Sequence, residues 1–420
     1  MKINQKIGKH HQSSPHYASL TKKPNNKRGL RTLNTNPHEA TIPPGACSGI
    51  RVIEIGTMVS APLAGQVLAD MGAEVIKIEP PEGDPMRKVG PFFKGMSANF
   101  MTVNRGKKSV TLNLKSPEDK ARLLELLHSA DVLLHNFRPG VMDRLGLGYA
   151  QLSALNSRLI YTSISGFGSS GPYASKPAYD HIIQGMTGVM YLQGRGDTPE
   201  PLRNLLVDKS CAMVTASAIL AALLHRERNG GQGQHLDASL LGAFSWLGVS
   251  DNIANHTFQS PDVQKFPPLD IHHPLRAKDG WVIGHIQTDA QFAGACRVFG
   301  REDLLDHELW RSAAQRISRN GELWSEFALA AENMLRADLI ARAEAEGVAL
   351  GPIHTLDEFF EDPQVISSKV CVEHEDPDFG VIRQINFPVV FSRSQVDIAT
   401  RAPMLGEHTA QILQCSSPPG

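Results

Sequence analysis

Beyond residue 48 the chain alternates short β-branched apolar runs with stretches whose apolar positions recur at helical spacing. Residues 50–55 form an apolar run ending at Gly56, and an amphipathic stretch over 61–71 follows, with Gly72 placed to stop a helix. A second run, Glu74–Glu79, is broken by Pro80 and Pro81. Strand, helix and strand within about 30 residues is a βαβ unit with a right-handed crossover. The rhythm repeats: a strand over 109–114, then a helix that Ser116 caps, Pro117 opens and His128 closes. Strands are predicted over 131–135 and 158–165, with a short helix over 149–155 between them. A long helix over 209–228 stops at Gly230-Gly231, and a strand over 234–239 follows. This alternation predicts an α/β fold with a doubly wound, Rossmann-like large domain.

The rhythm lapses over 250–268, a polar, proline-containing connector. It resumes with a strand over 281–286 and helices over 289–299, 322–334 and 337–346. A strand-like run over 381–391 and a last helix from Glu407 close the chain. The expected organisation is therefore a large α/β domain begun by 49–250, a linker over 251–268, a smaller α/β domain over 269–360, and a return segment, 361–420, completing the large domain.

Composition changes this picture at one end only. The 420 residues carry 42 Lys+Arg against 43 Asp+Glu, a balance that gives no chain-wide attraction to nucleic acid or membrane surfaces. Residues 1–48, however, hold eight basic residues and one acid, with little aliphatic periodicity, and read as a disordered basic extension. The longest apolar stretch, 211–224, falls short of a membrane span, and the N-terminus lacks the apolar core of a secretory signal. Five scattered cysteines without a C-x-x-C read as reduced thiols, which points to a cytoplasmic protein.

The candidate chemistry lies where strands end. The turn after the first strand has Gly56 but not the remaining glycines of a dinucleotide fingerprint, and Glu79 only mimics a ribose-binding acid; an NAD-dependent dehydrogenase is a weak alternative. His272-His273 and the other histidines lack metal-ligand spacing, so no metal is expected. Asn136, Phe137 and Arg138 follow a buried strand directly, at the edge where open α/β sheets bind ligands. Arg144, Lys115, Arg105, Lys107 and Lys108 place positive charge near that edge, suited to a phosphate-bearing ligand or to an ordinary surface. Asp208 reads first as the N-cap of the long helix. It can also be read as an ionised carboxylate facing the ligand crevice, able to attack an acyl carbonyl.

In combination these motifs resemble the family III CoA-transferases, the CaiB/BaiF group that holds formyl-CoA transferase, carnitine CoA-transferase and α-methylacyl-CoA racemase. The resemblance runs from Gly49 to about Leu413. It rests on Gly49-Ile-Arg-Val-Ile-Glu-Ile, Ala61-Pro62, Gly72-Ala-Glu-Val-Ile-Lys-Ile-Glu, Asn104-Arg-Gly-Lys-Lys-Ser and Asn136-Phe-Arg-Pro-Gly. Arg144-Leu-Gly, Ser165-Gly-Phe-Gly, Ala178-Tyr-Asp, Gly231-Gln-Gly-Gln and Arg401-Ala-Pro-Met-Leu-Gly-Glu-His complete the series.

The resemblance implies a homodimer of interlocked, ring-like chains that binds CoA and acyl-CoA as substrates, with no tightly bound cofactor and carboxylic acids as the other partners. It implies a catalytic Asp at the place of Asp208, working through an acyl-aspartyl anhydride and an aspartyl-CoA thioester. The matching CoA contacts are Met58 and Val59 by backbone, Leu112, Lys115, Asn136, Phe137, Arg144 and Leu145. Tyr179 is the second candidate catalytic residue; racemases of the group carry His there, so Tyr179 favours CoA transfer over α-carbon epimerisation, the alternative. A CoA-binding protein without chemistry is a further alternative. Val59, Pro80 and Pro177 depart from formyl-CoA transferase, as does the lack of its tetraglycine loop, which favours a larger or less polar acyl group.

Overall fold

The computed structural model describes residues 44–414 except 195, 266–272, 397 and 399. Most of the basic extension, residues 1–43, therefore lies outside the described residues. Its last five residues do not belong to a disordered tail: Gly45 pairs with Gln395, and the buried Cys47 donates its amide to Met71 O at 2.8 Å.

Six parallel strands form the central sheet: β1 (Arg51–Ile55), β2 (Glu74–Glu79), β3 (Lys108–Thr111), β4 (Val132–His135), β5 (Ile160–Ser165) and β6 (Gln234–Ser239). Their order is β3-β2-β1-β4-β5-β6, so the winding reverses between β1 and β4. Alternate residues feed opposite faces. Val52, Val132 and Leu134 pack under α1 (Ser60–Asp70), while Ile53, Ile55 and Leu133 pack against α2 (Pro117–His128) and α3 (Tyr149–Leu155). The next helices are α4 (Asp180–Met186) and α5 (Leu206–Arg228).

Among the described residues α5 alone has the length and hydropathy to cross a bilayer. It is a core helix here: Cys211, Ala212, Ala216, Ile219 and Leu223 pack in the same cluster as Ala61, Ala64 and Leu68 of α1. Small residues on both helices let the two backbones approach. At its far end Arg226 is fully buried, donating to Asp131 at 2.8 Å and to Arg158 O at 3.0 Å.

A second hydrophobic core lies between a three-stranded antiparallel sheet and its helices. The strands are β7 (Leu275–Ala277), β8 (Gly280–His285) and β9 (Ala349–Ile353); the helices are α6 (Asp289–Phe299), α7 (Asn320–Ala331) and α8 (Arg336–Ala345). The apolar run over 381–391 is strand only to Ile385: β10 (Cys371–Asp376) pairs with β11 (Gly380–Ile385) as a hairpin. Asn386 ends it, and Pro388 cannot donate to a ladder. The chain then returns to the large sheet, where His408 accepts the Ser109 amide at 3.3 Å and donates its own amide to Ser109 O at 2.9 Å, ahead of α9 (Thr409–Gln414). Glu407 is bound to Arg401 at 2.8 Å, so this terminal motif is a clasp on β3.

Candidate active site

Open parallel sheets bind ligands beyond the carboxyl ends of their strands, where the winding reverses. Here that point lies between Gly56 after β1 and Asn136 after β4. Asn136 bridges it: its side chain accepts the Thr57 amide at 2.9 Å and donates to Thr57 O at 2.8 Å. A third bond, 3.2 Å to Ser60 Oγ, reaches the first residue of α1. Met58, between them, has φ +62° and donates its amide to Asp84.

Asp208 completes the cluster, but not as the cap expected from sequence. The helix begins at Leu206, three residues before the expected start at 209, and Asp208 lies in its first turn. The cap is external: Asp180, buried at the start of α4, accepts the amides of Val207 at 2.8 Å and Asp208 at 3.1 Å. Gln184, one turn on, donates to the other Asp180 oxygen at 2.6 Å. The half-buried Asp208 carboxyl is thereby freed from capping, and burial together with the Asp180 charge raises it to about 6, against a hydrogen bond from Ser60. These effects oppose the helix dipole, which favours the ionised form. No basic side chain pairs with it among the described residues. Such a carboxylate is ionised at neutral pH, weakly solvated and basic enough to be nucleophilic.

The other candidate residues are distributed along the same edge. Val59 is buried as the residue preceding α1, and Leu112 is buried beyond β3 in the apolar core. Phe137 stacks its ring 6.1 Å from His135, packing against the core it half enters. Lys115 and Arg144 are exposed, and neither is in an ion pair among the described residues; Leu145 beside Arg144 is half-buried. Tyr179 precedes α4 and is 63% exposed, its ring parallel to that of His181 at 6.2 Å.

The remaining cations are not where sequence placed them. Arg105, Lys107 and Lys108 lead into β3 rather than out of it, and each is neutralised: Arg105 by Asp70, Lys107 by Glu54 and Lys108 by Glu74, all at 2.7 Å. Burial forces this pairing for the first two. Glu79 is likewise spent, buried and bound to Arg87 at 2.7 Å, so it cannot read a ribose and the dehydrogenase alternative loses its acid. His272 lies outside the described residues, among which no group of three metal-ligating side chains gathers. Ser60 and Asp180 had no role in the sequence reading. Asp180 shows there only as the third residue of a motif, and Ser60 as one serine in an apolar turn.

The family model for CoA-transferase family III matches residues 47–409. The chain belongs to this family. The family III chain is 36% identical over 378 residues to a succinate–glutarate CoA-transferase of Agrobacterium fabrum, an alignment covering 87% of this chain and 94% of the relative. It is 35% identical over 338 residues to an acetyl-CoA:oxalate CoA-transferase of Acetobacter aceti, covering 79% and 86%. In structure it matches a CAIB/BAIF family protein from Brucella suis with a TM-score of 0.77 and 32% identity, over 89% of this chain and all of the other. The mixed α/β fold with its parallel central sheet is thus the fold of this CoA-transferase family.

Proposed function

We propose that the protein transfers CoA from an acyl-CoA thioester to a carboxylic acid, with Asp208 as the nucleophile. The carrying observation is the Asp208 carboxylate itself, hydrogen-bonded by Ser60 beside the switch-point turn while Asp180 takes its backbone amide, with no cation to neutralise it among the described residues. One Asp208 oxygen attacks the thioester carbonyl and the C–S bond breaks, leaving an acyl-aspartyl anhydride and CoA thiolate. The thiolate attacks the aspartyl carbonyl and expels the donor acid, leaving an aspartyl-CoA thioester. The acceptor carboxylate displaces the thiolate to form a second anhydride. The thiolate then attacks the acceptor carbonyl, releasing acceptor-CoA and the free Asp208 carboxylate. Protons balance at every step, so the site needs no strong acid or base beside Asp208, in keeping with an exposed Tyr179 phenol.

The CoA itself would lie along the carboxyl edge, between the backbone of Met58 and Val59 and the exposed Lys115 and Arg144, with Asn136, Phe137 and Leu145 on its path. Leu112 would contribute through its backbone. Relatives named for succinate, glutarate and oxalate point to a small dicarboxylic acid as one partner. Exposed Tyr179, Tyr191, Trp246, Phe258 and Val390 support burial against a further chain, as in an interlocked homodimer.

The test is exchange between succinyl-CoA and glutarate, followed by chromatography of the CoA esters. Hydroxylamine added with succinyl-CoA should convert Asp208 to its hydroxamate, seen by peptide mass. Deuterium entry at an acyl α-carbon with no CoA exchange and no hydroxamate at Asp208 would identify an epimerase instead. CoA binding without either reaction would leave a binding protein.

A further inference from the structure

Beneath the β1–α1 turn lie four charged side chains with no solvent exposure: Glu54, Lys77, Asp84 and Lys107. Lys77 bridges Glu54 and Asp84, at 2.9 Å to each, and Lys107 binds the second Glu54 oxygen at 2.7 Å. Gly65 of α1 makes room for this carboxylate: a Cβ there would lie 2.2 Å from Glu54 Oε2. Burying four charges confers little stability, since apolar side chains of the same volume generally serve as well. What the tetrad does hold is backbone.

Lys77 donates to Gly56 O at 2.7 Å, and Asp84 accepts the Met58 amide at 3.1 Å. Lys107 donates to Pro62 O at 2.6 Å. With Asn136 holding Thr57 on both sides, three successive residues of the turn are each fastened by a side chain from another element. The middle of this grip is Met58, whose left-handed conformation a non-glycine residue rarely adopts without support.

We propose that the buried Lys77–Asp84 pair is a positioning device that holds the Met58 turn in its CoA-receiving shape before any ligand arrives. The proposal rests on the CoA-transferase reading of this site. Neither residue touches substrate; both act through the backbone of Gly56 and Met58.

Two measurements on the full chain test it. In the unliganded wild type, hydrogen–deuterium exchange at the Met58 amide should be as slow as in the neighbouring β1 amides. Exchange at the rate of an open loop, slowed only when coenzyme A is added, would overturn the proposal. Calorimetric titration with free coenzyme A then compares Asp84→Asn with Asp70→Asn. The latter weakens the buried Asp70–Arg105 pair, which lies at the opposite end of α1 from the turn.

Both variants should melt lower, but only Asp84→Asn should bind coenzyme A at least tenfold more weakly. Adding Met58→Asn to Asp84→Asn should recover part of the affinity, because Asn tolerates the left-handed region better than Met. Equal loss in both single variants, unchanged affinity in Asp84→Asn, or no recovery in the double variant would each overturn a positioning role. Wild-type protein that binds no coenzyme A would refute the CoA-transferase reading instead, and the Met58 exchange rate would still decide whether the tetrad holds the turn.

Discussion

Replacing Asp208 by Asn should abolish CoA exchange and at the same time stabilise the protein at neutral pH. Burial and the Asp180 carboxylate raise the Asp208 pKa from 3.8 to about 6. The native state then holds this proton more tightly than the unfolded chain, so ionising Asp208 costs stability. Below about pH 4 both states are protonated and the cost is absent; it grows between about 4 and 6 and is complete above. A shift of about two units corresponds to roughly 3 kcal/mol at full development, with about half present already at pH 5. Asn has the shape of the protonated acid and carries no charge, so Asp208→Asn should remove most of this cost. Denaturant unfolding of wild type and variant at pH 5, 6, 7 and 8 reads it directly. The variant should be the more stable at pH 8 by an amount of this order, with a smaller gap at pH 5. In parallel, exchange should fall by several orders of magnitude, because the amide has no anionic oxygen to attack with. A variant that is less stable than wild type at pH 8, or a gap that does not change with pH, would show that Asp208 is a stabilising cap and refute the argument.

The other expectations concern its neighbours. In wild type, kcat/KM should lose activity on the acid side with a midpoint near 6; Asp180→Asn, by removing the like charge, should move that limb to lower pH, while Ser60→Ala should move it higher, each read from a pH–rate profile. Arg226→Met should destabilise by about 3–5 kcal/mol in denaturant unfolding, since it leaves Asp131 without its buried partner. An interlocked dimer should not release native monomers on dilution; light scattering across a concentration series that shows reversible monomers would refute the threading. Truncation through Ser48 should lower the melting temperature, because it uncovers the surface that Cys47 buries.

Much of this protein can be read from residue order alone. The helix over residues 117–128 carries its start signals in sequence, Ser116 as cap and Pro117 in the first turn, and the structure uses both. The buried strand Glu74–Glu79 lies where β-branched residues cluster between Gly72 and Pro80. Local pattern suffices for such elements because capping, turn chemistry and alternation act over a few residues. The motif at the end of the fourth strand likewise marks Asn136, since the edge of a parallel sheet is a position that order alone determines.

Local pattern could not say what a charged residue meets across the fold. Arg105, Lys107 and Lys108 look in sequence like a phosphate-binding run, and Glu79 like a ribose acid. Their partners are Asp70, Glu54, Glu74 and Arg87, and for the first three the partner lies some thirty to fifty residues away. Desolvation makes such pairs obligatory only once the chain is folded around them. The same holds at the centre of the site. Whether Asp208 caps its helix or faces the crevice depended on Asp180, which arrives from another helix to take over the cap and, by its charge, raises the carboxyl it leaves free. Sequence order determined which residues stand at the switch point, and tertiary packing decided which of them remain charged, unpaired and able to react.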